Sequence, residues 1–165
     1  DKLCICGFSA GAHVAGSLGT MWKDELITEV LGGEGMDYRP SCMLLSYPVI
    51  TAGKYTHPLS AQNIAPTDEL RKLASLEDHV SADVCPTFIW HCADDNIVPV
   101  ENSLMFASAL SGSNVPFELH IFPKGGHGIA MCDITTIKDG NERYLNPTAA
   151  QWFALSLDWA ERILK

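Results

Sequence analysis

Residues 1–20 read DKLCICGFSAGAHVAGSLGT, and the order of residue types in this stretch decides the fold. A short apolar run, Lys2–Cys6, ends at Gly7, and a segment rich in Ala and Gly, Ala10–Trp22, follows it. The first has the make-up of a buried strand, the second that of a helix able to pack closely on a sheet. Between them Gly7-Phe8-Ser9-Ala10-Gly11 has the spacing G-x-S-x-G. A serine on so tight a strand-to-helix turn is held at strained backbone angles, so the residues two away on either side must be tiny. The turn exposes the Ser9 Oγ and aims the Ala10 N–H at a developing oxyanion, with the field of the helix N-terminus behind it. The pentapeptide alone also fits an ordinary turn serine. Its place between a strand and a helix favours a nucleophile.

Three more runs read as strands: Cys42–Val49, Thr87–Cys92 and Phe117–Phe122. They are largely continuous in apolar character, as parallel strands covered on both faces tend to be. The last partly alternates, with Glu118 and His120 against Leu119 and Ile121, which suits a sheet edge. Glu101–Leu110 and Thr148–Leu164 read as helices, the latter opened by Pro147 and carrying a Trp and Leu stripe that belongs to a core. Strand-helix alternation implies an α/β fold, a parallel sheet of about four strands with flanking helices. Residues 51–84 lack a clear period and read as an irregular excursion between two strands, a candidate lid. Gly32-Gly33 reads as a surface turn.

The chain has 165 residues, the size of a single domain, and its formal charge of −9 argues against nucleic acid and anionic membrane surfaces as partners. No apolar run reaches the ~20 residues of a membrane span, and the chain begins with a strand rather than a signal peptide. The six cysteines form no C-x-x-C pair. Most lie in apolar runs and read as buried free thiols, which favours a reducing, cytoplasmic location.

A nucleophilic serine needs a base, and the base needs an acid to orient it. After the third strand comes His91-Cys92-Ala93-Asp94-Asp95-Asn96-Ile97-Val98-Pro99, and after the fourth Pro123-Lys124-Gly125-Gly126-His127-Gly128. Both are loops at the carboxyl ends of strands, where ligands bind in open parallel sheets. The chain order is therefore Ser9, an acid at Asp94 or Asp95, then His127. The glycines before His127 let the backbone bring it close to Ser9.

GFSAG, HCADDNIVPVENSL and FPKGGHG together resemble the α/β-hydrolase superfamily over nearly the whole chain. The likeness is strongest to bacterial esterases and lipases related to acetyl xylan esterases, and to prolyl-oligopeptidase-type hydrolases. Their acid lies in H-G-x-x-D-x-x-V-P, which falls here on Asp95, with Cys92 in place of the usual Gly. The resemblance implies hydrolysis of a small carboxylic ester with a short acyl group, acetylated carbohydrate included, by a Ser9–His127–Asp95 triad. Ala10 would be an oxyanion donor, and no metal or organic cofactor is needed. Phe8 and Val98, within the first two motifs, and Ile129, just after the third, are the candidate pocket residues. A prolyl-oligopeptidase-like peptidase and a non-catalytic hydrolase-fold remnant are the competing readings. A xylanase-type glycosidase is disfavoured, because it needs two carboxylates flanking the scissile bond.

The remaining histidines read as structural. His13 lies one helical turn past Ser9, with a packing or hydrogen-bonding role. His91 ends a strand and orients the acid loop, and no pair has zinc-site spacing. The resemblance also places further strands and a second oxyanion donor before the nucleophile strand, whereas eight residues precede Ser9 and no HGGG occurs. The chain is thus expected to be the C-terminal part of the fold, with the nucleophile strand a bare edge. It should be poorly active alone, and should self-associate or pair with an N-terminal half.

Overall fold

In the computed structural model, which describes residues 2–32, 38–137 and 140–165, the apolar runs become four strands. They are β1 (Cys4–Phe8), β2 (Cys42–Ser46), β3 (Thr87–Cys92) and β4 (Phe117–Phe122). All neighbours are parallel and the order is β1-β2-β3-β4, so β1 and β4 are the edges. The helices are α1 (Ala10–Met21), α2 (Glu25–Leu31), α3 (Pro58–Ile64), α4 (Asp68–Ala74), α5 (Glu101–Gly112) and α6 (Gln151–Ile163). Among the described residues no helix is long and apolar enough to cross a membrane.

Alternation along the strands splits the core in two. Met43, Leu45 and Ile89 point to one face, where Ala12 and Ala15 of α1 and Phe106 and Leu110 of α5 cover them. Cys42, Phe88 and Trp90 point to the other, under Trp152 and Trp159 of α6. Trp90 and Trp152 stack at 5.2 Å. Each burial of this size is worth several kcal/mol, and Trp→Ala in such a core costs about 3–5 kcal/mol.

Several boundaries differ from the sequence reading for local reasons. β2 stops at Ser46, not Val49, because Tyr47 adopts φ 37° and turns the chain out of the strand. β1 is displaced toward Phe8, in register with β2 from Cys4↔Cys42 to Phe8↔Ser46. α6 starts at Gln151 because Asn146 first holds a turn, accepting from Ala149 N–H at 3.0 Å. Gly32 follows α2 at φ 70°, while Gly33 lies outside the described residues.

The largest correction concerns residues 51–84, expected to be irregular. They carry α3, α4 and a 3₁₀ turn, Leu76–His79. His57 caps α3 by accepting from Ser60 N–H, and Thr67 caps α4 by accepting from Leu70 N–H. Asp68 and Glu69 in the first turn of α4 and Arg71 and Lys72 in its last complement the helix dipole. Buried Asn102 staples the start of this segment to α5. Its Oδ1 accepts from Ile50 and Thr51 N–H, and its Nδ2 donates to the Tyr55 and Pro99 carbonyls.

All six cysteines are free. Four are buried, Cys4 is half-buried, and Cys6 is exposed, against the expectation of burial. Burial pushes the Cys85, Cys92 and Cys132 thiols up to about 12, so they are inert as nucleophiles near neutral pH.

Candidate active site

Ser9 sits between β1 and α1 at φ 55°, ψ −121°, a conformation that costs a non-glycine residue about 1–3 kcal/mol. Backbone bonds hold it there. Its N–H donates to the Ser46 carbonyl at 3.0 Å, and its own carbonyl accepts from Ala12 and Val49 N–H. Gly7 is sterically obligatory, because a Cβ there would stand 2.4 Å from Gly11 O and 2.5 Å from Ala12 Cα. Gly11 is not: a Cβ there meets nothing within 4 Å, so only one of the two flanking glycines has to be tiny. The Ala10 N–H opens α1 and has no backbone acceptor among the described residues.

His127 reaches Ser9 from the loop after β4. Its Nε2 is 2.8 Å from Ser9 Oγ, and its Nδ1 is 2.6 Å from Asp95 Oδ2. A carboxylate only accepts, so Nδ1 carries the proton and Nε2 is left to accept from the Ser9 hydroxyl. Gly125, at φ 147°, makes this approach possible, since a Cβ there would fall 2.6 Å from Cys92 Sγ. Asp94 has other partners than the imidazole. Its Oδ1 accepts from Gly126 N–H at 2.9 Å, tying the acid loop to the histidine loop.

Asp95 is buried and fully engaged. Oδ1 accepts from Ile97 and Val98 N–H at 2.9 and 3.0 Å, and Oδ2 accepts from His127 and from His91 Nε2 at 3.1 Å. Burial alone would push its carboxyl up. The hydrogen bonds from His127, His91, Val98 and Ile97 outweigh that and hold it well below the usual carboxylate range. His91 is fully buried, with Nε2 also 3.0 Å from the Val98 carbonyl and Nδ1 2.7 Å from Ser103 Oγ. Both neighbours of Nε2 are acceptors, so Nε2 carries the proton and Ser103 donates to Nδ1. A hydrogen-bonded line thus runs from buried Ser103, His91 and Asp95 to half-buried His127 and Ser9.

A model of the prolyl oligopeptidase family matches residues 1–154. The chain belongs to the prolyl oligopeptidase family. It is similar to the endo-1,4-β-xylanase B of Butyrivibrio fibrisolvens, 43% identical over 135 residues that cover 80% of this chain and 21% of that protein. It is also similar to an acetylxylan esterase of Xylanibacter ruminicola, 29% identical over 138 residues, 77% of this chain and 26% of that protein. Among solved structures it resembles the acetyl ester-xyloside bifunctional hydrolase of Caldicellulosiruptor lactoaceticus. There the TM-score is 0.77 and the identity 37%, over 96% of this chain and 55% of that one. The chain therefore spans about a fifth to a quarter of the curated relatives and just over half of the solved one. Neighbours of this kind are α/β hydrolases, and the four parallel strands with helices on both faces have that fold.

The expected pocket residues do not line the cleft beside Ala10. Val98 and Ile129 are buried, Val98 as a backbone donor to Asp95 and Ile129 within the α6-side core. Phe8 is partly exposed but packs on Tyr47 and Trp152. The cleft next to the Ser9 turn, about 270 Å³, is instead lined by Ala10, His13, Val14 and Val49 on one side and Ser60, Asn63 and Ile64 of α3 on the other. The segment read as an excursion thus supplies one wall.

Tyr47 was not singled out from sequence. Its ring meets His127 edge-on at 5.0 Å, and its Oη accepts from Ala130 N–H at 3.2 Å. Burial pushes its phenol up to about 12, so it stays a neutral brace behind the imidazole. The available signal was its place, Ser46-Tyr47-Pro48, at the carboxyl end of a parallel strand. Among the described residues no group of three or more His, Cys, Asp or Glu side chains is placed to hold a metal ion.

Proposed function

We propose that the chain is the catalytic part of a serine hydrolase that cleaves carboxylic esters of short acyl groups through an acyl-enzyme. The observation that carries this is the unbroken line Ser9 Oγ–His127–Asp95, at 2.8 and 2.6 Å, on a strained strand-to-helix turn. Ser9 Oγ attacks the ester carbonyl carbon while its proton passes to His127 Nε2. The carbonyl oxygen takes the negative charge and faces the Ala10 N–H. The tetrahedral intermediate collapses, the C–O bond to the alcohol breaks, and His127 gives the alcohol its proton. Water then attacks the acyl-Ser9 ester with His127 again as base, releasing the carboxylic acid and restoring Ser9. Asp95 holds the imidazole in the required tautomer and offsets the imidazolium charge.

The names of the relatives, an acetylxylan esterase and an acetyl ester-xyloside hydrolase, support acetylated carbohydrate as the substrate class. A xylanase reading finds less support here. Glycosidic cleavage needs two carboxylates about 5–9.5 Å apart across the bond, and the carboxylate at Ser9 is already committed to His127. Membership of the prolyl oligopeptidase family favours one second reading, a peptidase using the same three side chains.

A fluorophosphonate probe on the parent and on Ser9→Ala tests the serine-hydrolase reading. Labelling should occur on Ser9 and vanish in the variant, and a parent that does not react refutes it. Comparing p-nitrophenyl acetate with a proline-containing peptide separates the two substrate classes. Faster turnover of the ester supports the reading, and cleavage of the peptide alone reverses it.

A further inference from the structure

The cleft beside Ala10 has apolar walls, Val14, Val49 and Ile64, and three polar side chains, His13, Asn63 and Ser60, the last with its hydroxyl 2.9 Å from His57 Nδ1. His13 Nδ1 lies 3.2 Å from the Val49 carbonyl oxygen. A carbonyl only accepts, so Nδ1 carries the proton and Nε2 presents a lone pair. Burial lowers the His13 imidazole below the usual histidine range, against a smaller opposing effect of the Val49 carbonyl, so the ring is neutral at pH 7. Nε2 has no protein partner among the described residues. It is not sealed off either, because among those residues the buried side-chain polar atom without a partner is Glu77 Oε2. Nε2 is therefore accessible, on a side chain that lines the cleft.

A hydrocarbon occupant would fit the walls but strip water from Nε2 and return nothing. The complementary ligand has a broad apolar face and an O–H to donate, which describes a pyranose ring. We propose that this cleft binds a hydroxyl-bearing portion of the substrate, a sugar or polyol ring, with one hydroxyl donating to His13 Nε2 and the ring face lying on Val14, Val49 and Ile64. His13 is then a specificity-determining residue, and α3 supplies the opposing wall, with the Asn63 amide exposed on it. This rests on the ester-hydrolase reading of Ser9 for its place in a reaction, but the binding itself does not require Ser9 to react.

The test uses the full chain with ¹⁵N-labelled histidine and two probes, methyl β-xylopyranoside and tetrahydropyran. The two share a ring and differ in whether it carries hydroxyls. The xyloside should shift the His13 Nε2 resonance saturably and bind several-fold to about tenfold more tightly than tetrahydropyran, the worth of one well-placed hydrogen bond. His13→Phe should bring the two affinities together, read at the Ile64 amide. His13→Gln, which keeps an acceptor, should restore part of the gap. Ile64→Trp, at an exposed site away from the Val49 bond, should block both probes even if the His13 variants fold poorly. Equal binding of the two probes by the parent, or a xyloside preference that survives His13→Phe, overturns the proposal. Fluorophosphonate labelling of Ser9 is a separate measurement: its failure removes the ester-hydrolase reading and leaves the cleft's binding as measured.

Discussion

Replacing Asp95 by Asn exchanges one heavy atom, an oxygen for the nitrogen of an NH₂ group, and should nearly abolish turnover. The amide oxygen can take the Oδ1 place and keep the Ile97 and Val98 N–H bonds of 2.9 and 3.0 Å, so the loop stays in position. The NH₂ then occupies the Oδ2 place, 2.6 Å from His127 Nδ1 and 3.1 Å from His91 Nε2. A donor now faces His127 Nδ1, which must give up its proton and accept. The proton moves to Nε2, and the base that should receive the Ser9 proton is already occupied. For a triad acid the same exchange costs on the order of 10⁴ in kcat, or about 5.4 kcal/mol of barrier at about 1.36 kcal/mol per decade. His91 keeps the Val98 carbonyl at 3.0 Å, so the fold should survive. Stopped-flow hydrolysis of p-nitrophenyl acetate by parent and variant reads the effect. Asp94→Asn is the control: its amide oxygen can still accept from Gly126, it loses an exposed 3.8 Å pair with Lys124, and turnover should stay within about fivefold. A loss under tenfold in Asp95→Asn, or an equal loss in Asp94→Asn, refutes the reasoning. Stability gives a second reading. Because the folded Asp95 carboxyl is held below its unfolded value, its contribution is complete above about pH 4 and fades as pH falls through the folded value. The gap in Tm between parent and Asp95→Asn should therefore narrow from pH 7 toward pH 2. A gap that is constant or widens there would contradict the assigned ionisation.

Gly7→Ala should fail to fold or lose several kcal/mol, because its Cβ would meet backbone at 2.4 Å, whereas Gly11→Ala should keep the parent's unfolding free energy or raise it by up to about 1 kcal/mol, read by thermal melting; equal destabilisation at the two sites would mean the turn is held differently. His91→Phe should lower kcat/KM about tenfold and move the acid limb of its pH profile upward, because losing one donor concentrates the Asp95 charge on His127. Ser103→Ala leaves that donor in place and should move the limb less. A drop in Tm with an unmoved limb would assign His91 to packing alone.

The parallel sheet was legible because its strands are buried on both faces and read as continuous apolar runs between turn residues. Thr87–Cys92 and Phe117–Phe122 run as expected to the residue. Ser9, Asp95 and His127 stood out because each lies in a short motif at a strand end, and the structure brings the three side chains into hydrogen-bonding contact. What was lost depends on contacts between distant segments. α4 buries no residue, so it shows no apolar stripe, and its one local signal is the Thr67-Asp68-Glu69 cap. α3 is seven residues long, too short for a helical period, and its cap is a histidine, an unusual choice. Tyr47 looks like one more strand residue until its φ of 37° is seen. The cleft could not be read from flanking residues such as Val98 and Ile129, because its walls come from α1, the Val49 turn and α3. From sequence His13 reads as a packing or hydrogen-bonding residue, and it meets the Val49 carbonyl, but its second nitrogen matters only once that cleft exists.

If Ser9 is the nucleophile, it carries the acyl group between the two halves of the reaction. Parent protein mixed with excess p-nitrophenyl acetate, quenched in acid within the pre-steady state and digested, should yield the Ser9 peptide bearing one acetyl group. Ser9→Ala should give no acetylated peptide there and hydrolyse the ester slower by several orders of magnitude. Hydrolysis by Ser9→Ala near the parent rate, or turnover with the acetyl group on another residue, would contradict it.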